Sequence, residues 1–586
     1  MERIRGKIVS AGIVSGKALL YSSQKEIVRL DKVSPENCEK EIWRFDNAVK
    51  KTQAQLKKIQ QDLARVMGKD AAFIIETQSL LLQDSNLLNE INGLIKNSLL
   101  KAEWAIQEVE KKYRQLFDSI PDLSFKQKSS DISDVLNRII NNLRKSRRRE
   151  LTENVSDAIL VAEDLSPSET AKLMSRKKLL GLVLDKGGDT SHTVILARTL
   201  GIPAIFDTGN ASRVINNDDQ VVIDGLAGEV IVNPSPAMVA ELTVKKEKFQ
   251  LYQERLKAVA PLADVTRDRH PFTLMANIEL PFEGDMIQAY GAKGIGLFRT
   301  EFLYLESGPR LSEEEQYLIY KDIAQKVFPH PLVIRTFDIG REKAEPGTTI
   351  RGEANPSLGL MAVRMFLANR QPLKRQIKAI QRANSSGNIR ILFPMITEIE
   401  EIHSLRQIMA ETSAELIREN RQPKHPVQVG IMIEIPAAIG IIPHLGETVD
   451  FFSVGSNDLM QYLLAADRNN SAVSYLLSPF HPAVVRTLLE IRQAADHIRK
   501  PVTVCGEMAG KCVPALMLLG LGYRHFSMNP LAIPEIKRIF TRVHYSWLKR
   551  IVNRLLDFSS RTEIEEYLIE SLLKKYPSLF LHQQML

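Results

Sequence analysis

The residues best placed to do chemistry begin with His192, in Gly187-Gly188-Asp189-Thr190-Ser191-His192-Thr193. A neutral imidazole nitrogen is a competent nucleophile near neutral pH. The apolar run Leu180-Gly181-Leu182-Val183-Leu184 ahead of it reads as a buried strand, and Val194 onward reads as a helix. With Thr190 or Ser191 as N-cap, His192 falls in the helix's first turn. Backbone N–H groups and the helix dipole favour an anion such as a phosphoryl group there. The same residues also suit an ordinary strand–turn–helix joint whose histidine merely caps or packs, so the rest of the chain has to decide.

A second constellation lies in the C-terminal half. Arg299 and Glu301, Arg335 and Asp338, Glu434, Asn457 and Asp458, and Cys505 each stand where an apolar run ends. Arginines make forked contacts to phosphate and carboxylate. Two carboxylates, Glu434 and Asp458, suit a Mg²⁺ that keeps several waters and bridges a phosphorylated substrate. Positive charge aimed at a leaving oxygen stabilises it as a phosphoryl group departs. Cys505 suits a proton donor, or equally a small buried hydrophobe.

These side chains need elements to hold them. Eight short apolar runs follow one another: Phe272–Ile278, Gly294–Arg299, Leu332–Phe337, Ile389–Met395, Gln428–Ile435, Phe451–Val454, Val502–Cys505 and His525–Met528. Helix-compatible segments separate most of them, which predicts a (β/α)₈ barrel with its chemistry where strands end. The N-terminal half changes texture twice. Strand-like runs flank a stretch with helical period, illustrated by Trp43, Ala48, Leu56, Ile59 and Leu63, with further helices expected over Ala71–Leu82, Asn86–Ile120 (continuous or broken) and Ser130–Leu143. The expectation is a multidomain α/β protein. Its parts are an α/β domain from residues 1–24 and 148–234, an inserted helical bundle at 25–147, a linker helix at 235–260, and a TIM barrel at 261–586.

Composition narrows the class. Of 586 residues, 44% are hydrophobic and 25% charged, as in soluble globular proteins. No apolar run reaches the roughly 20 residues of a membrane span, and the first residues show no signal-peptide core. The three cysteines, Cys38, Cys505 and Cys512, suggest a reducing, cytoplasmic setting. The net charge of +8 includes one dense basic cluster, Arg144-Lys145-Ser146-Arg147-Arg148-Arg149. No reading motif or stacking aromatic accompanies it, so neither nucleic acid nor membrane insertion is expected.

With these motifs in order, the chain resembles the enzyme I family of the bacterial sugar phosphotransferase system over nearly its whole length. The resemblance rests on the His192 segment with Ala197-Arg198 and Ile202-Pro203-Ala204-Ile205, and on Gly294-Ile295-Gly296-Leu297-Phe298-Arg299-Thr300-Glu301. Arg335-Thr336-Phe337-Asp338-Ile339-Gly340, Asn355-Pro356-Ser357-Leu358-Gly359 and Ile433-Glu434-Ile435-Pro436 extend it. So do Gly455-Ser456-Asn457-Asp458, Ala466-Asp467-Arg468 and Cys505-Gly506-Glu507-Met508. It implies a cytoplasmic, Mg²⁺-dependent homodimer, joined through the barrel, that passes a phosphoryl group from phosphoenolpyruvate to the carrier HPr. It makes His192 the acceptor, supported by Thr170. It assigns Arg299, Arg335, Asn457, Asp458 and Arg468 to substrate, Glu434 and Asp458 to the metal, and Cys505 to protonation of enolpyruvate. The helical insert becomes the HPr docking surface, and phosphoryl transfer requires a swing of the histidine domain.

Four departures from the family pattern stand out. Met361 replaces a substrate-binding arginine, Arg341 is new and offers a partial replacement from a different backbone position, Asp189 replaces an arginine near the histidine, and Gln78 replaces a histidine of the insert. They leave two further readings: a superfamily member with a different carrier, and a regulatory homologue with reduced or no turnover.

Overall fold

The computed structural model describes residues 2–21, 31–67, 81–82, 85–118, 123–144, 157–165, 169–170, 179–186, 193–194, 197, 201–307, 311–340, 355–468, 470 and 472–580. The chain divides into two compact units, residues 1–252 and 253–585, and the division falls inside the helix Pro236–Lys257.

The first unit is built on a mixed eight-stranded sheet in the order β1-β8-β7-β3-β4-β5-β6-β2. Its strands are β1 (Glu2–Arg5), β2 (Lys7–Ser10), β3 (Ile13–Tyr21), β4 (Ala158–Ala162), β5 (Leu179–Leu184), β6 (Ala204–Phe206), β7 (Gln220–Asp224) and β8 (Glu229–Val232). Strands β3 to β6 run parallel and the outer ones antiparallel. Side chains alternate across a strand. In β4 this sends Leu160 and Ala162 into one core and Ile159 and Val161 into another. Both faces of the strand are therefore covered, which is why it reads as an unbroken apolar run. The flanks of the insert thus form one sheet: β3, before it, pairs with β4, after it.

The insert contributes α1 (Cys38–Met67), α2 (Ser85–Ser98), α3 (Ala102–Asp118) and α4 (Leu123–Leu143). Phe45, Ala48, Val49 and Leu56 of α1 pack against Ile91, Ile106, Leu136 and Ile139 of the other three. Trp43 corrects the expected stripe, being 68% exposed. It lies two residues, some 200° of helix, from the buried Phe45. The long helix expected over Asn86–Ile120 is broken where Leu99 takes a left-handed φ of 53°. The buried Glu41 accepts from the N–H of Ala102 at 2.8 Å, which meets the orphan donor of the restarted helix. Most of the helix expected over Ala71–Leu82 lies outside the described residues, as does the basic cluster beyond Arg144.

The second unit is a closed parallel barrel of eight strands. They are β9 (Thr273–Ile278), β10 (Ile295–Arg299), β11 (Leu332–Arg335), β12 (Ile389–Phe393), β13 (Gln428–Ile433), β14 (Phe451–Val454), β15 (Val502–Val504) and β16 (His525–Met528). β16 pairs with β9 to close the ring. All eight expected runs are strands. Several runs overshoot, because Phe337 and Met395 are buried yet lie beyond the last paired residue. Burial continues there after the ladder stops, and an apolar pattern does not separate the two. No described helix is long and apolar enough to cross a membrane.

Candidate active site at the barrel mouth

The strand ends deliver the polar side chains to one place. Arg299 ends β10, Arg335 ends β11, and the two are paired in register. Glu434 follows β13 directly, Asn457 and Asp458 open the helix Ser456–Leu464 after β14, and Cys505 follows β15.

Each expected arginine faces a carboxylate. Arg335 is 7% exposed, with Nη2 at 2.9 Å from Glu301 and Nη1 at 2.8 Å from Asp338. Burial alone pulls its pKa down, but Glu301, Asp338, Glu434 and Asp458 together hold it above the ordinary guanidinium value. Arg299 meets Glu279 at 2.6 Å, and Arg468 meets Asp458 at 3.2 Å. Charge-assisted pairs of this kind can exchange a carboxylate for a substrate phosphate or carboxylate without rebuilding the site. Asn457 is linked to Glu507: its Nδ2 lies 3.4 Å from Oε1, and its Oδ1 accepts from the Glu507 N–H at 3.3 Å.

Glu434 is fully buried. Its Oε1 accepts from the N–H of Met395 at 2.6 Å, and its Oε2 has no hydrogen-bond partner, like the buried Oδ1 of Asp338. Burial, then Asp338 and Asp458, raise its pKa well above the carboxylate range. A Cβ on Gly455 would stand 2.9 Å from that free Oε2, so the glycine keeps the oxygen uncrowded. An orphaned buried oxygen amid repelling carboxylates fits a bound cation. Among the described residues, no group of three or more His, Cys, Asp or Glu is gathered to hold a metal. A cation on Glu434 and Asp458 would therefore complete its shell with water and substrate oxygens, as Mg²⁺ does.

Cys505 is 1% exposed and joins Leu297, Val333, Leu392, Met432 and Phe451 in an apolar layer. Its thiol donates to the Val454 carbonyl at 3.4 Å and accepts from the Ser453 hydroxyl at 3.2 Å. Burial pushes its pKa up to about 11, so the thiol keeps its proton at neutral pH. Met361 is half-buried at the N-cap of the helix Ala362–Ala368, and its backbone bridges to Gly340, two residues past Asp338. Arg341 lies outside the described residues.

In the first unit, His192 and Asp189 lie outside the described residues. Thr170 is described and buried; its hydroxyl lies 2.9 Å from that of Thr193, the residue after the histidine.

Sequence reasoning missed three supports. Glu279 follows the end of β9 and holds Arg299, a position that strand-end logic alone identifies. Tyr462, four residues after Asp458 and so on the same helix face, donates to the Ser357 carbonyl at 2.7 Å. Its pKa is pushed up to about 12 by burial, then Asp458, Glu434 and Asp338. Gln376, fully buried, joins Thr300 at 2.9 Å, and the Thr300 hydroxyl donates to the Arg335 carbonyl at 2.7 Å.

Known proteins match along the same lines. A PEP-utilising enzyme, PEP-binding domain family matches residues 253–545; the N-terminal and mobile domain families of PEP-utilising enzymes match 5–128 and 155–228. A phosphoenolpyruvate-protein phosphotransferase of Haemophilus influenzae is 34% identical, over 97% of this chain and 99% of its own. One from Buchnera aphidicola of Baizongia pistaciae is 36% identical over 94% and 96%, and one from Bacillus subtilis 34% over 97% and 100%. The chain belongs to the phosphoenolpyruvate-protein phosphotransferase family. In this phosphotransferase the barrel mouth lies within the span matched by the PEP-binding family, and Thr170 and Thr193 lie within that matched by the mobile domain. The expected resemblance and multidomain α/β fold are borne out.

Proposed function

We propose that the chain breaks the P–O bond of phosphoenolpyruvate, moves the phosphoryl group to a ring nitrogen of His192, and hands it to the carrier protein HPr. Arg299, Arg335 and Arg468 bind the phosphate and carboxylate of the substrate, displacing Glu279, Asp338 and Asp458 from their ion pairs. Asn457 and Asp458 contact the same substrate. Glu434 and Asp458 hold Mg²⁺. When bound, that ion supplies positive charge against the enolate oxygen that the phosphoryl group leaves. The Cys505 thiol, kept protonated by burial, gives its proton to the enolpyruvate carbon. Thr170 supports His192 through its hydroxyl contact with Thr193.

The observation that supports this reading best is the buried Glu434 with an orphaned oxygen, beside an Arg335 already paired with Glu301 and Asp338. We assign residues 1–24 and 148–234 to the histidine domain, 25–147 to HPr docking, 235–260 to the linker and 261–586 to the barrel, through which two chains pair. The histidine domain swings between barrel and carrier, and the protein works in the cytoplasm.

The test is incubation with labelled phosphoenolpyruvate and Mg²⁺. Acid-labile phosphate appears on the wild-type chain, passes to HPr, and is absent from His192→Ala. Label that persists on His192→Ala overturns the assignment of the acceptor.

A further inference from the structure

The far end of the barrel carries a second concentration of charge, at the N-terminal ends of β15 and β16. A cavity of about 380 Å³ opens there, lined chiefly by Arg492, Asp496, Arg499, Lys500, Arg524 and His525. That volume lies in the range of small-molecule sites. Four permanent cations share it with one carboxylate, and Asp496 is already paired with Arg492 at 2.6 Å.

Part of this charge has a structural reason. The helix Pro482–His497 ends at the cavity, and helix C-termini favour cations. Arg492 Nε donates to the Gly522 carbonyl at 2.8 Å, and Lys500 Nζ to the Val449 carbonyl at 2.7 Å. These two side chains anchor loops. Arg499 and Arg524 do not: both are exposed, and among the described residues neither guanidinium has an ion pair or hydrogen bond. Positive charge here is felt by the half-buried His525, whose pKa is lowered by burial, then by Arg492, Arg390 and Arg524. Residues at this face of a barrel ordinarily serve stability. Unneutralised arginines around a cavity do the opposite, since like charges repel.

We propose that this cavity is a second anion site, for a small metabolite whose phosphoryl or carboxylate groups carry two or more negative charges. Arg499 and Arg524 supply the forks that read such groups, and Lys500 and Arg492 supply further positive charge. The site is distinct from the catalytic mouth. The three residue steps of β16 from His525, at the cavity, to Met528, at the strand's C-terminal end, span about 10 Å. An occupant would bind together with phosphoenolpyruvate rather than compete with it.

The test is calorimetric titration of the full chain with pyrophosphate and, separately, with citrate. The proteins are wild type, Arg335→Ala, which disables the mouth, and the double variant Arg499→Ala with Arg524→Ala. The expected result is a pyrophosphate or citrate site that survives in Arg335→Ala and weakens at least about tenfold in the double variant. The stronger of the two ligands assigns the source of charge, phosphoryl or carboxylate. Both mutated side chains are exposed and unbonded, so an unchanged melting curve checks that the double variant is folded. No binding in Arg335→Ala, or equal affinity in the folded double variant, overturns the proposal. So does a loss matched by Lys50→Ala, which removes one exposed charge from the other unit.

Discussion

The N–H of Met395 donates to Glu434 Oε1 at 2.6 Å, while the second oxygen of that carboxylate has no hydrogen-bond partner. Met395 pays for this with a left-handed φ of 58°, a conformation side-chain-bearing residues seldom hold. The backbone therefore fixes one oxygen of Glu434 and leaves the other available among Asp338 and Asp458, whose charges oppose its ionisation. Such a carboxylate is costly without a cation and useful with one.

Glu434→Gln should separate those two consequences. The amide keeps an acceptor for Met395 and turns a donor toward the neighbouring carboxylates, so the metal-free variant should melt higher than wild type at neutral pH. Turnover of phosphoenolpyruvate should fall by at least about a hundredfold, the scale of losing a transition-state charge contact. Calorimetric melting and pyruvate release measure the two effects. A variant that is both less stable and fully active would show that Glu434 is a structural residue.

Much of the mouth was legible in the sequence because barrels place chemistry at strand ends. Arg299, Arg335, Glu434 and Cys505 each sit at or one residue beyond a strand's last paired position. The partners that hold them were harder to read. Glu279 lies 20 residues from Arg299, brought to it by the pairing of β9 with β10, and Gln376 lies 76 from Thr300, on a helix packed outside the strands; such neighbours follow from the tertiary fold, not from local pattern. Trp43 was misread for the reverse reason: its apolar type fits a helical stripe, but its phase turns it to solvent. A break within Asn86–Ile120 was open, but its place at Leu99 escaped periodicity, which carries no signal for a left-handed residue without glycine.

Met361→Arg should tighten substrate binding. Met361 is half-buried and tied by its backbone to Gly340, close in sequence to the Asp338 that pairs with Arg335. A guanidinium there adds a charge-assisted contact to an anionic substrate, about 1.5–3 kcal/mol, or a ten- to hundredfold lower KM. Steady-state kinetics on phosphoenolpyruvate measure it. An unchanged KM would mean that the contact is already supplied by another group.

Cys505 should give stability an alkaline limit. Burial raises its thiol pKa from 9.0 to about 11, so between those values the folded chain keeps a proton that the unfolded chain has lost. The unfolded state then binds fewer protons, and stability falls as pH rises through this window, by at most about 1.4 kcal/mol per pH unit. Cys505→Ala should flatten that slope relative to wild type, with Cys512, pushed up to about 12, left as a shared background. Denaturant titrations across the window check it; parallel slopes for the two proteins would contradict the burial argument. The same variant should release pyruvate more slowly at neutral pH if the thiol is the proton donor.

Gln376→Leu should disturb the site from a distance. The side chain is fully buried, accepts from the Phe337 N–H at 3.2 Å, and donates to Thr300 at 2.9 Å and Tyr320 at 3.2 Å. Thr300 follows Arg299 directly and binds the Arg335 carbonyl, so Gln376 sets how the ends of β10 and β11 stand to each other. Leucine leaves the Phe337 N–H buried and unpaired, costing about 1–3 kcal/mol in denaturant melts. On the proposed roles, misalignment of the two arginines should raise the KM for phosphoenolpyruvate several-fold more than it lowers kcat, because Arg299 and Arg335 move while Glu434, after β13, and Asp458, after β14, do not. A stability loss with KM unchanged would confine Gln376 to the core, and a fall in kcat alone would place its influence on the reacting groups instead.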